Sequence, residues 1–431
     1  MKKSIVAVLV LALIPFALVF SQAKTDISLW TFQEVHLKFY QSMAEKWNAE
    51  HPSQQINLKG EVFPYDDMHN KLLVSLQSGS GAPDISDIEI SKFANYLQGD
   101  IQLAPLNDLI DPEKKQFVQS RLALYQKDGK YYGLDFHVGA EVMYYNNEIC
   151  KAAGVDIDKI KTWSDYIKAG QQVVAKTGKP MTTIEVTEHW SFYPLLNMAG
   201  SDVIDSDNKV ILDNDTNVKV LKLLYDMIYK YKIAIPTPGG FHHSEGYYGF
   251  MNDGGAASVW MPMWYMGRFT DYMADLKGKM AVRPMPVFDG SPEVYGIKSK
   301  FTSAGMGGTG TAVVKTSKNL ELAKQFLFYC KGTKAGTIEI WKQLGFDPLR
   351  WDVWGDKAMT EPNKFTDFFQ NGTGVFGMLL KVKDGFNTTN VGGNYPAIID
   401  SVKHNVMFQA LSDKSKTPEQ ALKDAAADLR K

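Results

Sequence analysis

Cysteine is scarce in this chain, which has only Cys150 and Cys330. No CxxC pair occurs, and this absence excludes a zinc ribbon and a thioredoxin-like redox motif. Both cysteines stand in apolar helical patterns, where a thiol commonly behaves as a small hydrophobic group. We therefore predict two buried free thiols. A single disulfide is the alternative, and it requires Cα atoms within about 7 Å of each other.

An excess of one charge is also lacking, because 47 Lys and Arg residues face 48 Asp and Glu residues. Nucleic-acid binding normally shows as a basic excess, so we expect no nucleic-acid partner. The sequence has no GxSxG, HExxH, Walker A or dinucleotide-binding motif in a suitable context. His242 and His243 are interpreted as a solvated loop pair and Asp205–Asn208 as a turn. We predict no metal and no cofactor.

Long apolar runs are missing except at the N-terminus, where Ile5 to Phe20 follows Met1-Lys2-Lys3. Small residues at Ser21 and Ala23 complete the layout of a secretory signal peptide, residues 1–23. A single N-terminal anchor helix is the alternative, although the run is short for a membrane span. No cysteine stands at the cleavage point to accept a lipid. We expect a free periplasmic or extracellular protein.

Short apolar strands alternate with amphipathic helices from residue 26 onward. The pattern predicts strands at Asp26–Phe32, Gln55–Phe63 and Pro83–Ile90, with helices between them. Such repetition indicates a parallel sheet covered on both faces, with ligands bound beyond the carboxyl ends of the strands. The first candidate positions are therefore 32–34, 65–67 and 89–93, which include Tyr65. A second α/β pattern follows Lys127 without a linker, so we expect the chain to cross between two lobes more than once.

Aromatic residues are abundant, with 9 Trp, 20 Tyr and 23 Phe. Flat aromatic surfaces suit the C–H faces of sugar rings, although each Trp could instead belong to a core. The segment WMPMWYMG, residues 260–267, is interpreted as a cleft wall. The tryptophans near turns or strand ends are Trp30, Trp163, Trp190, Trp260, Trp264, Trp351 and Trp354.

Carboxylates near strand ends leave two chemical interpretations open. A glycosidase needs two carboxylates roughly 5–10 Å apart, whereas a binding protein uses them to accept hydrogen bonds from hydroxyl groups. No acid/base signature stands out, so we predict that the chain is not an enzyme. The candidates are Glu34, Glu89, Asp135, Glu141 and Glu188.

Several segments together carry a family resemblance over nearly the whole chain after residue 23. The chain resembles the extracellular solute-binding proteins of family 1, the carbohydrate-binding components of ABC importers. The segments are SGSGAPDI (78–85), DGKYYGLDFHVGAEVMYYNNEI (128–149), TWSDYIKAGQQV (162–173), GSDVIDSDNKVILDN (200–214), GAASVWMPMWYMG (255–267), TGTAVVKTSKNLELAKQFLFY (309–329) and TPEQALKDAAADL (417–429).

The resemblance implies an α/β fold of the two-lobed, type II periplasmic binding protein kind, with a ligand cleft and a hinge of several crossings. It implies one lobe of residues 24–135 plus 305–349 and another of residues 136–304 plus 350–431. The family often has Pro-Tyr-Asp at the first crossing, where this chain has Asp135-Phe136-His137. The expected ligand contacts are Trp30, Gln33, Glu34, Tyr65, Glu89, His137, Glu141, Trp190, Trp260, Trp264, Gly305, Met306 and Arg350.

The leading functional hypothesis is capture of a carbohydrate and its delivery to a membrane ABC permease. The number of Trp residues favours an oligosaccharide. We expect a monomer that docks transiently on that permease. Two alternatives stay open at this point. One is an exported carbohydrate hydrolase or lyase, and the other is a binder of polyamine or glycerol phosphate with the same fold.

Overall fold

The computed structural model describes residues 23–371 and 374–431. The predicted signal peptide lies outside this part of the chain, apart from Ala23. Within the described residues, no helix combines the length and hydropathy needed to cross a membrane. The strands are β1 Thr25–Thr31, β2 Ile56–Val62, β3 Ile85–Glu89, β4 Gln126–Lys127, β5 Lys130–Tyr131, β6 Glu141–Asn146, β7 Thr182–Ile184, β8 Ala234–Pro236, β9 Ser258–Pro262, β10 Met280–Pro284, β11 Ser303–Gly305, β12 Thr309–Val313 and β13 Phe386–Thr388.

Helices connect and cover these strands, and a π-helix at Val402–Val406 joins two of them near the C-terminus. The α-helices are α1 Glu34–Glu50, α2 Tyr65–Ser78, α3 Ile90–Phe93, α4 Asn107–Ile110, α5 Gln119–Ala123, α6 Asn147–Ala152, α7 Trp163–Thr177, α8 Tyr193–Met198, α9 Asp215–Tyr229, α10 Glu245–Asn252, α11 Met266–Tyr272, α12 Leu320–Lys331, α13 Lys334–Leu344, α14 Lys364–Phe368, α15 Val375–Leu380, α16 Tyr395–Ser401, α17 Met407–Leu411 and α18 Pro418–Leu429.

The first lobe is built on a four-stranded sheet in the order β12-β3-β1-β2. Strands β2 and β3 run parallel to β1, as predicted, whereas β12 is antiparallel to β3. Ile27 and Leu29 of β1 belong to one hydrophobic core, and Trp30 belongs to a second core with Ile88 of β3. The prediction of a sheet covered on both faces is confirmed. The antiparallel β12 departs from it because this strand returns from the other lobe.

Local signals set the ends of the helices. Helix α2 stops at Gly79, whose φ of 69° lies in the left-handed region that glycine adopts most easily. Helix α7 begins with a capping box, in which the Thr162 hydroxyl accepts from the Asp165 N–H and the Asp165 carboxylate accepts from the Thr162 N–H. A glycine after α2 and a threonine before α7 thus set these two helix ends.

The second lobe is built on an antiparallel sheet in the order β10-β6-β9. Side chains of β6 alternate between two cores, with Val142 and Tyr144 in one and Met143 and Tyr145 in the other. The C-terminal helices α16 and α18 pack into the second of these cores. Cys150 and Cys330 are buried and free, which confirms the prediction for both thiols.

Three chain segments cross between the lobes side by side. Single bridges pair Leu134 with Thr311, Ala140 with Gly305, and His137 with Pro348. The predicted lobe boundaries fall in or next to these segments, and the division itself stays a prediction.

The third crossing is fixed to the first by a buried acid. The Asp347 carboxylate accepts hydrogen bonds from the N–H groups of Gly139 at 3.2 Å and Ala140 at 2.8 Å. Burial raises the pKa of Asp347 to about 7. The crossings therefore form a compact hydrogen-bonded band directly below the space between the lobes.

Candidate functional site

A cavity of about 400 Å³ lies between the two lobes, at the carboxyl ends of the strands of the first sheet. This volume lies within the range of small-molecule sites. Its first wall comes from the turns after β1, β2 and β3. Its second wall comes from loops and helices of the other lobe, and its floor comes from the crossing segments.

A fixed hydrogen-bond network forms the first wall. The Tyr65 hydroxyl donates to Glu89 Oε2 at 2.9 Å, and the Ser91 N–H donates to the same oxygen at 2.8 Å. Burial, followed by the nearby Glu89 charge, raises the pKa of Tyr65 above its ordinary value. Phe32 packs edge-on against the Tyr65 ring, with centroids 5.3 Å apart. The Glu89 carboxylate is thereby held at the cavity surface as an acceptor.

His69 supports this wall from behind. Its Nε2 lies 3.0 Å from the Glu89 N–H, and its Nδ1 lies 2.7 Å from the Tyr65 carbonyl oxygen. Because Nε2 must accept and Nδ1 must donate, these partners require the neutral ring. Burial lowers the pKa of His69 to about 4, in agreement with that geometry.

Aromatic rings dominate the second wall. The Trp190 and Trp264 rings meet edge-on with centroids 5.3 Å apart, and His243 stacks on Trp264 at 5.5 Å and 26°. Burial lowers the pKa of His243 to about 3, so this ring is neutral near pH 7. The wall thus offers flat, amphipathic surfaces to a ligand.

An ion pair stands beside these rings. Lys403 lies in the π-helix, and its Nζ is 2.9 Å from Glu188 Oε1, while His189 Nδ1 is 3.3 Å from Glu188 Oε2. Burial alone would raise the pKa of Glu188, but His189 and Lys403 outweigh it and lower the pKa to about 2. Both charges line the cavity. A π-helix in this position agrees with the frequent occurrence of π-bulges at functional sites.

The floor consists of His137 and the segment Met306–Thr309. The Trp264 Nε1–H donates to the Met306 carbonyl oxygen at 3.1 Å and so ties the second wall to the floor. His137 is buried, which lowers its pKa to about 3. Its Nδ1 has no partner among the described residues.

Seven of the residues predicted from the sequence line the cavity together, which places both walls and the floor in one site. They are Gln33, Tyr65, Glu89, His137, Trp190, Trp264 and Met306.

The other predicted residues lie outside the cavity lining. Trp30 packs against Phe63, and Trp260 packs against Trp163 in the second lobe. Glu141 is fully buried in β6, and Gly305 ends β11 behind the floor. Glu34 lies on the exposed first turn of α1, and Arg350 pairs with Asp352 and Glu113. The strand positions of Trp30 and Trp260 turn these rings onto sheet faces rather than toward the sheet edge.

The interpretation of His242 and His243 as a solvated pair is wrong. His242 is 1% exposed, and its Nε2 is 2.9 Å from the Thr183 hydroxyl. The Tyr265 hydroxyl donates to the His242 carbonyl oxygen, and this loop therefore folds back onto the lobe. His243 lines the cavity instead of facing open solvent.

Sequence reasoning also missed several cavity residues that come from helices or loops without a local signal. They are His36, His189, His243, Arg268, Asp271, Lys364, Tyr395 and Lys403. Ser91 also lines the cavity, and it lies within the range 89–93 that the strand-end rule selected. Lys403 has no such signal, because nothing in VKHNV distinguishes a π-helix from an α-helix.

The chemistry of the lining favours a neutral ligand rich in hydroxyl groups. The neutral His137 and His243 rings can each donate and accept, the carboxylates accept, and the indoles provide stacking area. Among the described residues, no cluster of three or more His, Cys, Asp or Glu side chains could hold a metal ion.

Comparisons with known proteins agree with this arrangement. The profile of the family described as bacterial extracellular solute-binding protein matches residues 33–337. An arabinooligosaccharide-binding protein of Bacillus subtilis is 50% identical over 94% of this chain and 92% of its own length. The arabinooligosaccharide-binding protein of Halalkalibacterium halodurans is 46% identical over 94% of this chain and 88% of its own length.

Solved structures reveal the same fold. An ABC substrate-binding protein of Listeria monocytogenes in complex with cycloalternan superposes with a TM-score of 0.73 at 20% identity. The match covers 94% of this chain and 98% of that protein. The fold is the two-lobed, type II arrangement.

Proposed function

Since this chain belongs to the bacterial extracellular solute-binding protein family, we propose that it captures an arabino-oligosaccharide and delivers it to an ABC importer. The observation that carries the proposal is the pairing of the Trp190, Trp264 and His243 rings with the fixed Glu89 acceptor across one cavity. Rings bind the apolar faces of sugars, while charged acceptors orient their hydroxyl groups.

The sugar class is proposed from two relatives. Both are arabinooligosaccharide-binding proteins, at 50% and 46% identity over almost the whole chain. An oligosaccharide also suits a cavity of about 400 Å³ that is lined from both walls and from the floor. The ligand-binding set proposed for it comprises Gln33, Tyr65, Glu89, His137, Trp190, Trp264 and Met306.

Delivery follows from closure of the lobes. A ligand that contacts both walls stabilises the closed arrangement by its differential affinity for it, and the permease would recognise that state. The chain would act outside the cytoplasm as a monomer, after cleavage behind Ala23 and without chemical change of its ligand.

Calorimetric titration of the purified protein with arabinotriose tests this proposal. Maltotriose, xylotriose, spermidine and glycerol 3-phosphate serve as comparison ligands. In a parallel urea-unfolding experiment, arabinotriose at 100 times its Kd should raise the free energy of unfolding by about 2.7 kcal/mol. Binding of a comparison ligand without binding of arabinotriose would contradict the sugar class.

Chromatography of the recovered ligand separates binding from catalysis. Arabinotriose incubated with the protein should be recovered intact, because the proposal includes no bond cleavage. Appearance of arabinose or arabinobiose would favour the hydrolase or lyase alternative.

A further inference from the structure

The floor segment Met306–Thr309, here called the floor loop, is held by its carbonyl groups. Four consecutive carbonyl oxygens each accept a hydrogen bond from a different part of the molecule. The donors are Trp264 Nε1 to Met306 at 3.1 Å, Arg121 Nη2 to Gly307 at 2.7 Å, the Ile90 N–H to Gly308 at 3.0 Å, and Lys331 Nζ to Thr309 at 3.1 Å.

The N–H groups of the same loop divide into two kinds. The Met306 N–H donates to the Gly139 carbonyl oxygen at 2.8 Å, and the Thr309 N–H donates to Asp135 Oδ1 at 3.0 Å. The N–H groups of Gly307 and Gly308 have no hydrogen-bond partner among the described residues, and both glycines line the cavity.

Peptide planarity explains where these two donors point. In a trans peptide, the N–H of one residue is directed opposite to the carbonyl of the residue before it. The Gly307 carbonyl points to the buried Arg121, so the Gly308 N–H points away from Arg121 and toward the cavity. The Gly307 N–H is directed away from Trp264, which lines the cavity and binds the Met306 carbonyl, so planarity directs only the Gly308 donor into the cavity.

The buried Arg121 side chain anchors the floor loop. This side chain is fully buried on α5, and its Nη2 binds both the Gly307 carbonyl oxygen and the Asp135 carboxylate of the first crossing. Gly308 has a φ of 149°, and a Cβ there would come within 2.4 Å of Arg121 Nη2. The loop therefore needs glycine at this position in order to lie against Arg121.

We propose that the Gly308 N–H is a backbone donor for an oxygen atom of the sugar, and that Arg121 is the positioning residue that directs this N–H into the cavity. The ligand class rests on the proposed function. A hydroxyl or ring oxygen suits the site better than an anion, because Asp135 balances the charge of Arg121 directly beneath the loop.

Arg121 would affect affinity without touching the ligand. A side chain that fixes a donor in its bound direction lowers the cost of ordering it on binding. Arg121→Lys keeps the charge but lacks the planar fork that reaches both Asp135 and Gly307. We expect this variant to bind arabinotriose roughly 3- to 10-fold more weakly, the range expected when the neutral hydrogen bond from the Gly308 N–H to the sugar is lost.

Arg350→Lys is the matched control. Arg350 is also a buried arginine that binds carboxylates, here those of Glu113 and Asp352, and a carbonyl, that of Gly332, but it lies outside the cavity lining. We expect its melting temperature to fall about as much as that of Arg121→Lys, with a Kd within twofold of wild type. If Arg121→Lys does not fold, Arg121→Gln/Asp135→Asn removes both buried charges together and should show the same loss of affinity.

Amide hydrogen exchange of residues 305–310 provides a second readout. Arabinotriose should slow exchange in the wild type and slow it much less in Arg121→Lys. Equal Kd values for wild type and Arg121→Lys, or equal losses of affinity in Arg121→Lys and Arg350→Lys, would overturn the inference.

If the wild type does not bind arabinotriose, the proposed function fails separately. Exchange in the ligand-free proteins then still decides the role of Arg121, because the Thr309 amide should exchange faster in Arg121→Lys.

Discussion

The first wall of the cleft takes its side chains from the ends of parallel strands, whereas the second wall takes them from loops and helices far apart in the chain. The first wall is a closed hydrogen-bond network, in which His69 fixes Glu89 through the backbone and Tyr65 binds its carboxylate. The second wall is mainly aromatic area, with one ion pair between Lys403 and Glu188.

The difference separates two contributions to recognition. A network whose members already bind one another can orient a hydroxyl group at little further cost in conformational entropy. Stacked rings contribute the larger part of the free energy through buried area but discriminate less among sugars. We therefore expect substitutions of the rings in the second wall to cost the most affinity, and substitutions in the first wall to cost less affinity but more selectivity.

The largest expected effect is that of Trp264→Ala. This variant loses the stacking surface and the indole N–H that holds the Met306 carbonyl. Central aromatic residues of binding sites cost about 2–4 kcal/mol when truncated, so the Kd for arabinotriose should rise roughly 30-fold or more. Trp351→Ala is the control, since Trp351 is also half-buried and packs on another Trp, but lies outside the cavity lining. A similar loss in both variants would contradict the role of the second wall.

The next effect is the pH dependence of the free energy of unfolding, to which His69 of the first wall contributes. The pKa of His69 is about 4 in the folded protein and about 6.5 in the unfolded chain, so the unfolded chain binds more protons between these values. The neutral His69 ring therefore contributes fully to the free energy of unfolding above pH 6.5, and this contribution is lost as the pH falls toward 4. The loss between pH 7 and pH 5 is about 2 kcal/mol.

His69→Gln isolates this contribution. Glutamine can accept from the Glu89 N–H and donate to the Tyr65 carbonyl, but it does not titrate. Urea unfolding at pH 5 and pH 7 should show a smaller pH dependence in His69→Gln than in the wild type. An unchanged dependence would mean that His69 does not hold Glu89 as a neutral ring.

The two walls also differ in how far the sequence predicts them. Gln33, Tyr65 and Glu89 were predicted because the strand-end rule needs only the local pattern of strands and helices, and that pattern held for β1, β2 and β3. In the second wall, Trp190 was predicted from its residue type, whereas Trp264 was predicted from the segment 260–267 and from the family resemblance. The pair His242 and His243 was misread, because its loop is held by Tyr265 and Glu185, which bind the His242 backbone only in the folded lobe.

Residue type alone also selects side chains that never reach the cavity. Trp30 stands within β1, where alternate side chains face opposite sides of the sheet, and its ring enters the core with Ile88. Lys403 shows the opposite case, since its place in the second wall depends on how α16, the π-helix and α17 pack on that lobe. Long-range packing of this kind leaves no periodic signal in the sequence.

A smaller effect is expected for Tyr65→Phe in the first wall. The variant removes one hydrogen bond to Glu89 and leaves those from Ser91 in place. The loss should be about 1 kcal/mol, or roughly a fivefold increase in the Kd for arabinotriose. Tyr96→Phe is the control, because the Tyr96 hydroxyl binds the His69 carbonyl oxygen and lies outside the cavity lining. Selectivity between arabinotriose and xylotriose should fall in Tyr65→Phe and stay unchanged in Tyr96→Phe.

The smallest effect is expected for Lys403→Met. Its ion pair with Glu188 is partly exposed, and such pairs contribute about 0.2–1 kcal/mol, so the Kd should rise only about twofold. Lys416→Met is the control, since Lys416 has a similar exposure, pairs with Asp424 at 2.7 Å and lies outside the cavity lining. Calorimetry at low and high salt should show that the difference between Lys403→Met and wild type shrinks as salt screens the pair. A loss larger than that of Tyr65→Phe would reverse the comparison, because the ion pair of the second wall would then orient the sugar and the network of the first wall would not.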